Sequence, residues 1–283
     1  MTTQIVDAHH HIWRTGWTPW LSGSMTPRIF GPYHAVRRDY LAAEYAADAR
    51  PSGVTRSVHI EANVAPRQGG RRGGLDRELA YPPCGASASN CTGIATRPGA
   101  TPRSPDLMLD PRWQRGLREV TRRGLHFELQ AVPDQYVHAL RLVEAFSDTT
   151  FVLLRAGMPA DRTPEGMTFW RQGLARFAVC PNVLVKLSGL GTFTRRCRLD
   201  EWQPVIETAI DLFSPGRCMF GSNFPIEKLW TDYATLTSVF RASLSRYTPG
   251  EQQQVLHDVA ARTYQPGTSQ PVPATRDRSK THQ

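Results

Sequence analysis

The sequence predicts an α/β fold built around a parallel sheet, and three features of its 283 residues support this. Short apolar runs bounded by turn residues recur along the chain, and they have the length of buried strands. Segments with helical patterns and clear start signals lie between these runs. Strands that alternate with helices in this way form parallel sheets, because each helix carries the chain back across the sheet.

Six apolar runs are predicted to be the strands. They are Gln4–Asp7, Thr55–Glu61, Leu125–Gln130, Thr150–Arg155, Asn182–Ser188 and Arg217–Gly221. In the fifth run, side-chain alternation places Lys186 and Ser188 on one face. A lysine near the carboxyl end of a strand is typical of a site residue in a barrel. It is equally typical of a side chain that extends from a strand end into solvent, and both interpretations stay open here.

Three helix starts are predicted from their capping residues. Asp110-Pro111 and Thr163-Pro164 each have the usual order of an N-cap and a first helical residue. Thr248 is followed three residues later by Glu251, which is the spacing of a capping box. Helices are therefore expected to begin directly after residues 110, 163 and 248.

The net charge of +9 is compatible with nucleic-acid binding, but its distribution argues against that function. A good part of the excess lies in residues 69–104 and in residues 265–283, a tail rich in Pro, Thr, Ser and Arg that we predict to be disordered. Elsewhere the arginines are scattered, and no basic run alternates with aromatic residues. The sequence therefore predicts no nucleic-acid partner.

The compartment is predicted from what the sequence lacks. No apolar stretch approaches the length of a transmembrane helix, and the first residues do not have the apolar core of a signal peptide. The five cysteines are scattered and do not have zinc-finger spacing, which favours reduced thiols. These observations predict a cytoplasmic protein that does not associate with membranes.

Chemistry is predicted at the end of the first strand. Residues 5–13 read IVDAHHHIW, and regular alternation would place Asp7, His9 and His11 on one face. Two imidazoles at such positions can share a metal ion or polarise one carbonyl oxygen. A solvated, His-rich terminus is the alternative, but the apolar residues before the pair and Trp13 after it favour a site.

Six motifs, in this order and spacing, resemble the amidohydrolase-related TIM-barrel hydrolases, and within them the branch of sugar-lactone and 2-pyrone-4,6-dicarboxylate lactone hydrolases. The motifs are residues 7–13 (DAHHHIW), 27–33 (PRIFGPY), 127–130 (FELQ), 156–159 (AGMP), 185–190 (VKLSGL) and 219–230 (MFGSNFPIEKLW). The resemblance implies a (β/α)8 barrel, with one domain spanning residues 1–264. It also implies a hydrolase that acts on a small molecule.

The fold is predicted to be damaged or incomplete around strands 3 and 4, which the family places between residues 61 and 125. Residues 69–104 are rich in Gly, Arg, Pro, Ser and Ala and have no period of 2 or 3.6. We interpret this segment as aberrant, with part of it translated out of frame. A one-base shift across residues 83–102 permits LRGIRQQLHWHRNPAWRYTA, which follows the family pattern. Resequencing the DNA would test this interpretation.

The resemblance identifies four positions of the site. His9 and His11 match the family's His-x-His pair, which binds a divalent metal in some members and polarises the substrate carbonyl without one in others. Arg155 stands where the family has a histidine, and its permanent charge argues against a bound cation. Asn223 stands where many members have the aspartate that acts as general base, so it can orient water but not deprotonate it. Glu227 is an alternative base.

The remaining expectations concern substrate and cofactor. Trp13, Arg28, Gln130 and Lys186 are predicted to line the pocket, and Arg155 to pair with a substrate carboxylate. The cofactor is expected to be either none or a single divalent metal, Zn or Mn, held by His9 and His11. The leading hypothesis is hydrolysis of a lactone or other cyclic ester or amide of a small carboxylated molecule. A non-catalytic binding protein and an inactive, incompletely folded product are the alternatives.

Overall fold

The computed structural model describes residues 4–62 and 108–264. All six predicted strands are present in this part of the chain, within a few residues of their expected bounds. They are β1 (Ile5–His10), β2 (Val54–His59), β3 (Phe127–Leu129), β4 (Phe151–Leu153), β5 (Val183–Ser188) and β6 (Cys218–Gly221). Residues 69–104, with the expected damage around strands 3 and 4, and the predicted disordered tail lie outside the described residues.

The strands form a parallel arc in the order β3-β4-β5-β6-β1-β2. Strands β3 to β6 make one parallel sheet, and β1 and β2 make another. A parallel bridge between His10 and Phe224 joins the two sheets just beyond the end of β6. Because every strand runs the same way, all carboxyl ends open toward the same side, where barrels of this class place their sites.

Helices pack around this arc. They are α1 (Pro19–Ser22), α2 (Ala42–Ala49), α3 (Pro111–Arg122), α4 (Tyr136–Ala145), α5 (Pro164–Val179), α6 (Leu199–Phe213), α7 (Tyr233–Ser243), α8 (Pro249–Gln253) and α9 (Val259–Tyr264), the last two joined by a π turn. Within the described ranges, none of the helices combines the length and apolar character that spanning a bilayer requires.

The three predicted helix starts are confirmed by their hydrogen bonds. Asp110 accepts from the backbone N–H of Arg112 at 2.7 Å, and Thr163 accepts from that of Gly166 at 3.1 Å. Thr248 and Glu251 form the reciprocal bonds of a capping box. Each cap satisfies backbone donors that a helix start leaves without partners.

Two apolar clusters lie on opposite sides of the strands. The outer cluster packs strand residues such as Val185 and Phe220 against the helices. The inner cluster is smaller and holds Val6, Ala8 and Met219 together with Tyr264 from α9. Residues that alternate with the outer set therefore face the barrel interior, as the sequence predicts for Lys186 and Ser188.

A β-bulge in β1 changes the predicted alternation. Between paired positions, β1 uses the three steps from Asp7 to His10 where β2 uses the two steps from Ser57 to His59. One extra residue reverses the facing of all residues before it relative to those after it. The expectation that Asp7 shares a face with His9 and His11 is therefore wrong, because Asp7 faces the helices.

Asp7 is a structural anchor on that outer side. Its carboxylate accepts from the hydroxyls of Tyr45 and Tyr233, each at 2.9 Å, and from the backbone and hydroxyl of Ser222 at 2.8 and 2.6 Å. Desolvation raises the pKa of Asp7, and these hydrogen bonds oppose that shift. The bonds tie α2, α7 and the end of β6 to β1, which fixes the strand that carries the histidines.

Candidate active site

His9 and His11 lie together on the inner side of the barrel at the end of β1. Their rings meet edge to face, with centroids 5.1 Å apart, and both side chains are buried. The Nδ1 atom of His9 is 3.0 Å from the hydroxyl of Ser188 on β5. Gly221 on β6 provides the space beside them, since a Cβ there would lie 2.6 Å from that of His9. The pairing predicted from the sequence is present.

The protonation state of His11 follows from its partners. Its Nδ1 is 2.8 Å from the carbonyl oxygen of Ile60, which can only accept, so Nδ1 carries the proton. Burial lowers the pKa of His11 to about 3, and the charge of Arg155 contributes to that shift. At neutral pH the ring is therefore uncharged, and Nε2 presents a lone pair to the site.

Asn223 turns its amide oxygen toward that lone pair. Its Oδ1 accepts from Nη2 of Arg155 at 3.0 Å, and its Nδ2 donates to Glu227 at 3.3 Å, so the two neighbours fix which end of the amide faces the site. The Oδ1 atom lies 3.4 Å from Nε2 of His11. In this tautomer the two acceptors do not bond to each other, and a water molecule beside them can donate one proton to each.

Arg155 is held in the site by a left-handed turn directly after β4. The four residues from Arg155 to Met158 all have positive φ, between 50° and 73°. Such a run is unfavourable for L-residues and persists only where the surroundings enforce it. The hydroxyl of Tyr136 donates to the carbonyl of Gly157, and the indole of Trp170 donates to that of Ala156 at 2.8 Å. Helices α4 and α5 thereby hold the turn.

The guanidinium of Arg155 fits a space left for it by the loop after β5. Its Nη1 donates to the hydroxyl of Thr192 at 3.0 Å. A Cβ on Gly189 would collide with the same Nη1 atom. Burial lowers the pKa of Arg155 to about 10, and Glu227 opposes that shift, so the side chain stays charged at neutral pH. The site therefore contains a fixed cation.

Glu227 supplies the counter-charge behind Asn223. Its Oε2 accepts from the indole N–H of Trp230 at 2.8 Å, while Oε1 accepts from Asn223. Desolvation raises the pKa of Glu227 to about 7, against the opposing effects of these bonds and of Arg155. A carboxyl group with this pKa changes charge near neutral pH, and its charge holds the Asn223 amide in place.

Replacing Glu227 with glutamine should change how stability depends on pH. The native state holds the carboxyl proton more tightly than the unfolded chain does, so the wild-type free energy of unfolding falls as the pH rises from about 4.5 to about 7, by about 3 kcal/mol from this group. The variant lacks this contribution. We therefore expect the free energy of unfolding of the variant, relative to that of wild type, to be higher at pH 8 than at pH 5. Urea unfolding at the two pH values measures this difference.

The exposed Glu165 provides the control, since Glu165→Gln removes one negative charge at a helix start on the surface. Comparing each variant with wild type at both pH values cancels the effect of the buried histidines, which take up protons in this pH range only when the chain unfolds. Equal pH dependence in wild type and Glu227→Gln would show that this carboxyl does not titrate there.

Lys186 lies inside the barrel, and its charge is paired. Its Nζ donates to Oε1 of Glu128 at 2.6 Å, and both side chains are fully buried. The hydroxyl of Tyr264 donates to the same carboxylate oxygen, and the Tyr264 ring lies 4.8 Å from Nζ. Complete burial excludes the interpretation of a lysine that extends into solvent. The positive charge of Lys186 also helps to lower the pKa of His9, after burial itself.

The other predicted pocket residues follow β1 and β3 along the chain. Trp13 stacks beside His11 with ring centroids 6.2 Å apart, while its indole N–H donates to the carbonyl of Arg38. Arg28 lies over the ring of Trp20 at 5.0 Å. Gln130 is half-buried directly after β3. Contact of these residues with substrate stays a prediction, as it does for Lys186.

Several residues that shape the site were not singled out from the sequence. Ser188 and Thr192 bond to His9 and Arg155, and Glu128 pairs with Lys186. Alternation along β5 was the signal available for Ser188, because it shares the face of Lys186. The other two depend on which strands and loops meet in space, and a local pattern does not contain that information.

The side chains that the structure describes do not fit a divalent cation. Across residues 4–62 and 108–264, no group of three or more His, Cys, Asp or Glu side chains is arranged to hold a metal ion. His9 and His11 provide two nitrogen donors, whereas metal sites of this kind use at least three protein ligands. Arg155 stands where the resemblance would place a further histidine ligand, and its positive charge repels a metal ion.

Comparison with known proteins gives the family. The family model described as amidohydrolase matches residues 93–265, which is more than half of the chain. An uncharacterised protein of Sinorhizobium fredii is 30% identical over 298 residues, covering 92% of this chain and 98% of that protein. An L-fucono-1,5-lactonase of Burkholderia multivorans is 36% identical over 124 residues, covering 40% of this chain and 42% of the lactonase.

Solved structures confirm the predicted fold class. An amidohydrolase from Burkholderia multivorans with bound zinc has a TM-score of 0.73 at 22% identity, covering 93% of this chain and 99% of its own. A putative 2-pyrone-4,6-dicarboxylic acid hydrolase from Pseudomonas putida has a TM-score of 0.63 at 18% identity, covering 94% and 98%. The fold is an α/β TIM barrel, and the chain belongs to the amidohydrolase family of hydrolases.

Proposed function

We propose that this protein opens a lactone, a cyclic ester, of a small carboxylated molecule by attack of water on its carbonyl carbon. One observation carries this proposal. The lone pair of His11 and the amide oxygen of Asn223 are two acceptors 3.4 Å apart, beside the guanidinium of Arg155. A water molecule that donates to both acceptors would be held with its own lone pair free, next to a cation.

The residues support a complete reaction. As water attacks, one of its protons passes to Nε2 of His11, and the carbonyl oxygen becomes an oxyanion. The ring C–O bond then breaks, and the proton on His11 is returned to the departing ring oxygen. The products are an alcohol and a carboxylic acid on one molecule, and the acid releases one proton to solvent. Arg155 is the fixed cation nearest to these steps.

Asn223 contributes orientation rather than proton transfer. An amide does not accept a proton at neutral pH, so its oxygen can only position the water. His11 takes the proton in this scheme, and Glu227 keeps the amide oxygen turned toward His11. This division of roles explains how a site without the family's aspartate can retain hydrolysis.

Two arginines in the loops after β1 and β4 support a carboxylated substrate. Arg28 follows β1, and Arg162 follows the left-handed turn after β4, so both lie at the carboxyl ends of strands. Among the described residues, the buried Nε atoms of Arg28 and Arg162 have no hydrogen-bond partner. Nη2 of Arg162 donates to the carbonyl of Leu190, so its Nε is the donor left for a ligand. A guanidinium group matches the planar, bidentate geometry of a carboxylate.

The test is turnover of a matched set of esters. Wild type is supplied at constant pH with three compounds. They are a six-membered lactone with one ring carboxylate, the same lactone without the carboxylate, and the corresponding open-chain ester. We expect about one proton released per turnover, measured by titration, with the carboxylated lactone preferred. Arg28→Met should raise KM for the carboxylated ring and leave the uncharged ring nearly unchanged.

Two results would contradict the proposal in different ways. If none of the rings releases protons while the carboxylated lactone binds in calorimetry, the non-catalytic binding function is favoured. If the ring is opened but the carboxylate brings no advantage, the reaction stands and the assignment of Arg28 and Arg162 fails. Both results are read from the same protein sample.

A further inference from the structure

The position beside His9 and His11 is filled by a cation that belongs to the chain. Arg155 is only 9% exposed, and its Nη2 is 3.0 Å from the Asn223 oxygen that also faces Nε2 of His11. The guanidinium and the imidazole lone pair therefore border the same small space. A metal ion bound to the lone pair of His11 would therefore lie next to the guanidinium of Arg155, and two positive charges this close repel each other strongly at low dielectric.

Among the residues that the structure describes, the carboxylates of Asp7 and Glu227 near this space already have partners. Asp7 lies behind the bulge on the outer side, where tyrosine and serine donors hold it. Both oxygens of Glu227 accept hydrogen bonds, one from Asn223 and one from Trp230. With Arg155 and Glu227 both ionised, the charges of the site balance. A divalent ion would add two uncompensated charges to a buried region.

The surroundings of Arg155 are built for a guanidinium. Gly189 leaves the volume that Nη1 occupies, Thr192 accepts from that atom, and the left-handed turn aims the side chain inward. A shorter side chain would leave this volume empty. The backbone and the loop after β5 are thus shaped around this particular group.

We propose that the guanidinium of Arg155 takes the place of the divalent cation, so that arginine and metal are mutually exclusive occupants of this site. Under the proposed function, on which this part rests, Arg155 is the catalytic residue whose Nη atoms bind the oxyanion formed from the lactone carbonyl. Replacing Arg155 with histidine would remove the competing charge and supply a third imidazole. One substitution would then convert the site into a zinc site.

The test measures zinc directly. Wild type, Arg155→His and Arg155→Met are incubated with zinc chloride, freed of excess metal by gel filtration and analysed for bound zinc by mass spectrometry. We expect about one zinc ion per chain for Arg155→His and close to none for wild type. Arg155→Met removes the charge without adding a ligand, so it should hold clearly less zinc than Arg155→His.

His11 provides the control for where zinc binds. Zinc held elsewhere, for example by Cys180 or Cys197, would persist in Arg155→His/His11→Asn, whereas zinc in this site would be lost. Circular dichroism checks that each variant is folded. If Arg155→His does not fold, the wild-type measurement still decides, because one tightly bound zinc in wild type that is lost in His11→Asn overturns the inference.

The outcome separates this inference from the proposed function. Zinc exclusion by wild type together with zinc uptake by Arg155→His supports the exchange of cations even if no lactone is opened. In that case the proposed hydrolysis fails and the exchange stands. If the wild-type protein opens a lactone only when zinc is bound, the proposed hydrolysis stands and the exchange of cations fails.

Discussion

Replacing Lys186 with methionine is expected to lower the free energy of unfolding by about 3–5 kcal/mol, because it leaves the carboxylate of Glu128 buried without its cation. Both side chains are fully buried in the barrel interior, so solvent cannot compensate the remaining charge. The hydroxyl of Tyr264 still donates to Glu128, but a single neutral donor does not replace an ammonium group. Chemical denaturation at neutral pH measures this change.

The double variant Glu128→Gln/Lys186→Met is the matched control. It removes both charges and keeps an acceptor for Tyr264, so it should recover at least half of the lost stability. A double variant no more stable than Lys186→Met would show that the loss comes from packing and not from an unpaired carboxylate. In that case the Lys186–Glu128 bond would contribute little to the fold.

Replacing His11 with asparagine is expected to reduce kcat for the lactone by about 10²–10⁴-fold, with a smaller change in KM. The asparagine Nδ2 can still donate to the carbonyl of Ile60, which preserves the anchor of this position. The lone pair opposite Asn223 is lost, so the water has no proton acceptor. Steady-state kinetics on the lactone identified by the ester panel measure both parameters.

Two further variants make the His11 result interpretable. His34→Asn changes an exposed histidine after β1 and should leave kcat and KM as in wild type. His11→Gln places an amide near the former Nε2 position and should not restore kcat, because an amide does not accept a proton. If His11→Asn kept kcat within about tenfold of wild type, the proton acceptor would be another group, and Glu227 would be the next to test.

The order of elements was predictable because the signals are local. Apolar runs between turn residues gave all six strands, and the capping residues Asp110, Thr163 and Thr248 gave three helix starts. The neighbourhood of His9, His11, Arg155 and Asn223 was also predictable. Each lies at or just beyond the end of a parallel strand, and such ends converge on one side of a barrel.

The partners of these residues were not predictable to the same degree. The pairing of Lys186 with Glu128 depends on how β3 and β5 face each other across the barrel, and neither strand's own sequence shows this. The left-handed turn at Arg155 contains a single glycine, so nothing in its composition indicates four positive φ angles. Tyr136 and Trp170 enforce it from helices that are distant in sequence.

The extra residue in β1 has a consequence for how this protein tolerates insertions and deletions. With the bulge, Asp7 bonds to the helices on the outer side while His11 lies in the interior. A regular strand with the same spacing would place both side chains on one side. Deleting Ala8 would remove the extra residue, and a regular strand of that shorter length would still place Asp7 and His11 on opposite sides. The spacing within this motif is therefore as informative as its composition, because a chain with one residue fewer here would need no bulge to keep Asp7 on the outer side and His11 inside.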